Sequence, residues 1–345
     1  ESAGDIEQPR VPAQTASMSE YSEYEAAPAA GPDAAAKKKA ADLKKKKADL
    51  KKAVNGAYKG VFYENDFKYI NNPLYDQCFI GDSLKQIPVG DCWTLDLGGQ
   101  YRARYHHEQN IRGLGLTGRD DDFLLHRTRL FVNAKYDDFF RFYAEYIDAE
   151  SNYENFAPRG IEVDRSDLLN LFGEVKLLDD FFDGKLTARV GRQELLYGSQ
   201  RLISPLDWGN TRRTFEGLNF VFRNKDWAID TFVVEPVAVD PHNFNSAIDE
   251  QEFIGTFATF KKIKDQTFDF YALQYNNSSA PQHYKFTTLG SRWLGTDGDL
   301  LYELEGGVQF GKNTDGSDHS AGFATGGVGK SWDKSPGKPT LWVYY

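Results

Sequence analysis

Sulfur is scarce in this chain, with one methionine and two cysteines in 345 residues. Cys78 and Cys92 cannot build a cysteine-only metal site, and no histidine stands at ligand spacing to them. In an oxidising compartment a disulfide between them would contribute about 3 kcal/mol; two free thiols are the equal alternative. Long apolar runs are missing as well. Nowhere do 18 apolar residues follow one another, which excludes a membrane-spanning helix. A spanning barrel stays open, because its strands need an apolar residue only at every second position. Catalytic signatures are also lacking: no GxSxG, no HExxH and no phosphate-binding loop occurs. The six histidines are scattered, and Asp120, Asp121 and Asp122 read as a solvated acidic loop rather than a calcium site. The chain is therefore expected not to be an enzyme, and to carry neither cofactor nor metal.

Charge is abundant but uneven. Residues 37–52 hold nine Lys and two Asp, a local +7, which leaves −17 over the rest of a chain whose total is −10. So acidic a body argues against nucleic acid as a partner. The lysines sit in AAAKKKAADLKKKKADLKKAV, where Leu43, Leu50 and Val54 recur at helical spacing, so residues 37–55 are expected to form a short helix. Residues 1–36, rich in Ala, Pro, Ser and Glu, read as disordered. Residues 56–92, with Gly, Asn, Pro and both cysteines, read as an irregular lead-in. The chain begins at Glu1 without Met or a signal sequence, so a signal peptide is expected to have been removed or omitted.

Aromatics are plentiful, with 19 Tyr and 25 Phe, and suit a pleated surface. From Trp93 the pattern alternates. In WTLDLGGQYRARY, Trp93, Leu95, Leu97, Tyr101, Ala103 and Tyr105 share one face, and Thr94, Asp96, Gln100, Arg102 and Arg104 the other. A strand of about 13 residues exceeds the usual five or six of soluble sheets and suits a tilted crossing of a bilayer. Thirteen such segments are expected, near 93–106, 123–136, 139–148, 166–177, 185–196, 213–223, 227–236, 252–262, 266–276, 284–294, 299–310, 320–332 and 340–345. Tight joins such as YDD, LLDDFFDG and RNKD alternate with long polar ones, as on the two rims of an outer-membrane barrel. TLWVYY stops inside a strand, so the barrel is expected to be C-terminally truncated.

Arginine recurs on the polar face of these strands, at Arg102, Arg104, Arg127, Arg129, Arg141 and Arg189, with Arg292 a further candidate. A soluble sheet with a wet outer face would explain any single one. Six on neighbouring strands form a positive stripe, in which Asp96 and Glu145 are expected to orient guanidinium groups. A guanidinium grips a carboxylate in a planar fork, so the stripe suits uronic-acid polymers, and many equivalent sites let a polyanion slide.

Residues 191–218 read GRQELLYGSQRLISPLDWGNTRRTFEGL. This run resembles the signature of the alginate export porin family, and RLFVNAKYDDFFRFYAEYIDAE and FVVEPV before and after it are similar too. The resemblance covers 93–345. It implies a transmembrane antiparallel up-and-down β-barrel of about eighteen strands, all-β apart from the Lys-rich helix, in the bacterial outer membrane. It also implies outward passage of alginate with no energy source of the channel's own. Its lumen residues carry onto Arg189, Arg192, Gln193, Arg201, Asp207, Arg212 and Arg213, with SPLDW as a loop folded at the pore.

The expected function is thus a passive channel exporting an anionic, alginate-like polysaccharide, with selectivity from lumen arginines. Its partners are that polymer and outer-membrane lipid, with periplasmic export proteins as further candidates. Two rivals stand beside it: a general or small-anion diffusion porin in the same fold, and a soluble β-protein that binds or cleaves glycans.

Overall fold

A computed structural model describes residues 32–112 and 115–345. Residues 1–31, most of the stretch expected to be disordered, lie outside the described residues. Helix α1 spans Pro32–Asn55, beginning earlier than its lysines suggest, because Pro is tolerated in a first turn and three alanines follow it. Among the described residues, no helix is long and apolar enough to cross a membrane.

Everything after residue 86 is built on strands: β1 (Ile87–Val89), β2 (Trp93–Glu108), β3 (Asp121–Tyr136), β4 (Phe140–Asn152), β5 (Asp164–Phe181), β6 (Gly184–Gln193), β7 (Phe215–Asn224), β8 (Trp227–Ala238), β9 (Ser246–Ala247), β10 (Gln251–Phe260), β11 (Gln266–Asn277), β12 (Tyr284–Asp297), β13 (Leu300–Lys312), β14 (Asp318–Ser331) and β15 (Thr340–Tyr344). Successive strands pair antiparallel in chain order, with β9 off the path beside β8. This is an up-and-down barrel sheet of fifteen strands that is not closed; β1 and β15 are its ends. The thirteen expected segments are all present. The additional two are short, the three residues of β1 and the two of β9. LLDDFFDG differs from expectation, since β5 continues through Phe181 and the turn narrows to residues 182–183.

Side chains sort between the two faces in the reverse of a soluble sheet. Arg127 and Arg129 are 1% exposed and Glu145 is fully buried, whereas Leu130, Val190 and Val308 are more than half exposed. A charged residue at mid-height on a lipid-facing strand costs about 2–4 kcal/mol, so the alternation fixes the register: a one-residue slip would turn every arginine outward. Aromatic pairs ring the short-turn rim, among them Trp93 with Tyr136, Trp227 with Phe260 and Trp293 with Tyr302.

Two segments fill the inner side. Residues 56–92 contribute short helical turns at Phe62–Glu64, Lys68–Asn71 and Asp82–Leu84. Ala57, Val61, Tyr63, Phe67 and Tyr69 pack against Phe131, Tyr143 and Phe172 of the wall. Within this segment the Tyr75 hydroxyl and then the Phe79 N–H hold the Asp82 carboxyl below its usual range. Cys78 and Cys92 are free thiols, the first exposed and the second half-buried. The other filling segment, residues 194–214, is the β6–β7 connection. Its Leu195 and Ile203 join Phe215, Phe232, Phe253, Phe257 and Leu273 in a second apolar cluster.

Candidate functional site

Arg102 on β2 lies directly across from Arg127 on β3. Like charges so placed repel, so something must lie between them. The β6–β7 connection supplies it. Arg102 donates to the carbonyls of Asp207 and Gly209, Arg104 to the Trp208 carbonyl at 2.7 Å, and Arg127 to the Asp207 carboxylate at 2.9 Å. Arg212 of the same loop also donates to Asp207. Partial burial pushes the Asp207 carboxyl up, but Arg212, Arg127 and Arg102 outweigh that and hold it below the usual carboxylate range. The Nε atoms of Arg102, Arg104 and Arg127 are buried without a partner.

Deeper in, Glu194 takes Arg212 and, at 3.4 Å, Arg129. Arg129 donates also to Glu145, which Tyr143 and Asn170 hold at 2.8 and 3.0 Å. All of these side chains are buried. The filling segment 56–92 closes over the same groups. Phe62 lies under the Arg129 guanidinium at 3.8 Å and Tyr63 under that of Arg189 at 4.6 Å. The Tyr63 hydroxyl donates to the Glu194 carbonyl, Arg141 donates to the Tyr63 carbonyl, and Arg212 donates to the Gly60 carbonyl at 3.0 Å.

The structure therefore brings together Arg102, Arg104, Arg127, Arg129, Arg141, Arg189, Arg212, Glu145 and Asp207. Arg189 pairs with Glu174 at 2.7 Å, and Arg141 approaches the same carboxylate at 3.8 Å. Asp96 orients no guanidinium; it accepts from Gln86 and Asn133 and so anchors the lead-in segment. Arg192 stands apart, bound to Asp167, Glu216 and the Asn245 carbonyl near the long-loop rim. Gln193 is buried against Asn219. Arg201 reaches across to Glu303 and Glu305 on β13, and Arg292 pairs with Asp269 and Glu303. Arg213 is exposed and, among the described residues, forms no ion pair. Sequence reasoning missed Glu194, Glu174, Asn170 and Tyr63. Glu194 directly follows GRQ and could have been found as the first acid of the run that carries the family resemblance, but Tyr63 carries no signal outside the folded chain.

The alginate export family's sequence profile matches residues 93–345. The chain belongs to the alginate export family. That family is one of outer-membrane β-barrel channels for polysaccharide export and not of enzymes, and the matched span is the strand-bearing part from β2 onward. No curated protein sequence gives a significant match. Among solved structures, the chain is similar to OmpT, an outer membrane protein of Vibrio cholerae. The loop L8 deletion mutant is 11% identical, covering 74% of this chain and 93% of that one with a TM-score of 0.34. In-vitro folded OmpT is 11% identical, covering 71% and 84% with a TM-score of 0.32. At these values the likeness adds nothing to the family assignment.

Proposed function

We propose that this protein is a passive outer-membrane channel for an acidic polysaccharide such as alginate, with the lumen arginines as its selectivity element. The observation that carries the reading is the charge balance of the central cluster. Five guanidinium groups, Arg102, Arg104, Arg127, Arg129 and Arg212, share three carboxylates, Glu145, Glu194 and Asp207, an excess of two positive charges in the cluster. Fixed positive charge in a low-dielectric bore concentrates anions and repels cations. The strands within 93–345 form the wall, and the stretch from Ala57 to Tyr69, packed on its inner side, acts as a plug. Short turns face the periplasm, where export proteins deliver the polymer. A plugged bore favours this reading over a general diffusion porin.

Reversal potentials across a planar bilayer under a salt gradient test it. Anion selectivity is expected, and cation selectivity overturns the reading. Liposome swelling with neutral sugars of graded size is expected to be slow for all of them; rapid, size-graded entry would favour the diffusion porin.

A further inference from the structure

Helix α1 carries nine lysines that no part of the channel chemistry uses. The seven-residue step of ADLKKKKADLKK arranges them in rows. Seven residues make almost two whole turns, so Lys37, Lys44 and Lys51 line up about 10 Å apart along the helix, and Lys38, Lys45 and Lys52 form a second row. Ala41 and Ala48 run between the two rows, too small to screen either. Leu43 and Leu50 lie on the opposite side, with Val54 one turn further on, and Leu50 and Val54 pack against the apolar cluster of the lead-in segment. All nine lysines are exposed. Among the described residues, only Lys46 of the nine forms an ion pair, with Asp42 at 2.8 Å. Like charges three or four residues apart, as Lys44 with Lys47 and Lys47 with Lys51, weaken a helix. An extended anionic surface laid along the face relieves that repulsion.

The chemistry of the face selects among anions. α1 holds no arginine, although the barrel wall that follows is rich in it. The planar fork that grips carboxylates is therefore missing, and ammonium groups act as point charges, as they do toward phosphate. Two rows of three charges suit a plane better than a pocket-sized ligand, and clusters of this size on a helix mark contact with anionic lipid. The apolar side is one residue wide and its last turn is already packed on the lead-in, so the helix would rest on a headgroup layer without sinking into it. Such a layer is within reach. Lys37 stands about 27 Å along the helix axis from Asn55, and an outer-membrane barrel is ringed by headgroups. We propose that α1 is a docking face for anionic phospholipid headgroups of the membrane that holds the barrel, with Lys37, Lys38, Lys44, Lys45, Lys51 and Lys52 as the contacting groups.

Hydrogen–deuterium exchange of the full chain in lipid nanodiscs tests this, comparing phosphatidylcholine alone with discs in which roughly a third of the lipid is phosphatidylglycerol. Amides of residues 37–52 are expected to exchange roughly tenfold or more slowly in the anionic discs. In about 1 M salt, where the Debye length shrinks to about 3 Å, they should return to the neutral-disc rate. A lysine at an anionic surface is worth about fivefold in binding, so Lys44→Gln with Lys51→Gln should speed exchange in anionic discs by up to about 25-fold, toward the neutral-disc rate. Glutamine matches lysine in helix propensity, so the effect would not come from a weakened helix. Lys39→Gln with Lys46→Gln removes the same charge from outside the two rows and should have a much smaller effect. Equal exchange in the two kinds of disc, protection that survives high salt, or equal losses in the two double variants would overturn the lipid face. Protection produced by soluble polygalacturonate in neutral discs, with none in anionic discs, would also overturn it and make an acidic polymer the partner.

Discussion

If the segment around Tyr63 plugs the channel as proposed, Tyr63 is what holds it to the wall, and removing its side chain should open the channel. Its ring is 5% exposed and meets Tyr143 and Phe172 edge-on at 5.7 and 5.1 Å, beneath the Arg189 guanidinium. Truncating an aromatic side chain in such packing costs about 3–5 kcal/mol. All of that cost falls on the seated state, because a withdrawn plug exposes the side chain to water in either variant. At a factor of ten per 1.4 kcal/mol, Tyr63→Ala should shift the seated-to-withdrawn ratio by roughly two to three and a half orders of magnitude. Tyr63→Phe loses only the hydrogen bond to the Glu194 carbonyl, about 1 kcal/mol, and should shift the ratio roughly fivefold. Lys59, whose side chain is exposed, provides a control in Lys59→Ala, expected to be without effect. Single-channel recording reads the fraction of time spent conducting. If Tyr63→Ala keeps its heat-shifted band on a gel yet conducts no more than wild type, the segment does not gate the bore.

Glu194→Gln should destabilise the protein by about 3–5 kcal/mol, because Arg129 and Arg212 lose a shared buried partner; a shift in urea midpoint worth less than 1 kcal/mol would contradict this. Adding Arg212→Met should restore part of the loss. Asp207 is held below its ordinary value, so its hold on the wall arginines is complete above about pH 4 and is lost as pH falls through the lower folded value. Reversal potentials should accordingly grow more anion-selective on acidification below pH 4, and Asp207→Asn should show that selectivity already at neutral pH. Gly191→Ala should cost more than about 1 kcal/mol by urea unfolding, since φ is +127° there and an added Cβ would stand 2.3 Å from the Leu171 carbonyl oxygen.

The strands were legible because lipid imposes a period of two on every one of them, and that constraint acts residue by residue along the chain. Leu130 and Val132 turn outward for the same reason that Arg129 and Asn133 turn inward. The ends were less legible. Nothing in LLDDFFDG favours a two-residue turn over a longer one, and β5 runs on through Asp179 and Asp180, both exposed. The two-residue β9 has no pattern at all and exists only because Val237 and Ala238 offer it an edge.

The site was legible in its cations and illegible in its balance. Alternation puts Arg127 and Arg129 on the inner face, but it cannot say that Arg127 meets a loop carbonyl 82 residues later while Arg129 meets Glu145 and Glu194. A stripe of arginines read from strands alone looks like an open electropositive bore. Folded, most of that charge is answered, and what answers it is the run at 191–218 that carried the family resemblance. Gly191 permits the close approach of β6 to β5, Glu194 binds two guanidinium groups, and Asp207 to Gly209 turn their acceptors onto Arg102, Arg104 and Arg127. Such a run is specific as a sequence because it must match the geometry of an arginine wall at several points at once, whereas each strand need only alternate. On the proposed reading, the selectivity of the bore rests on the few charges the run leaves unanswered, so a single substitution at Asp207 is expected to change selectivity while most single arginine losses from the paired network would chiefly weaken the fold.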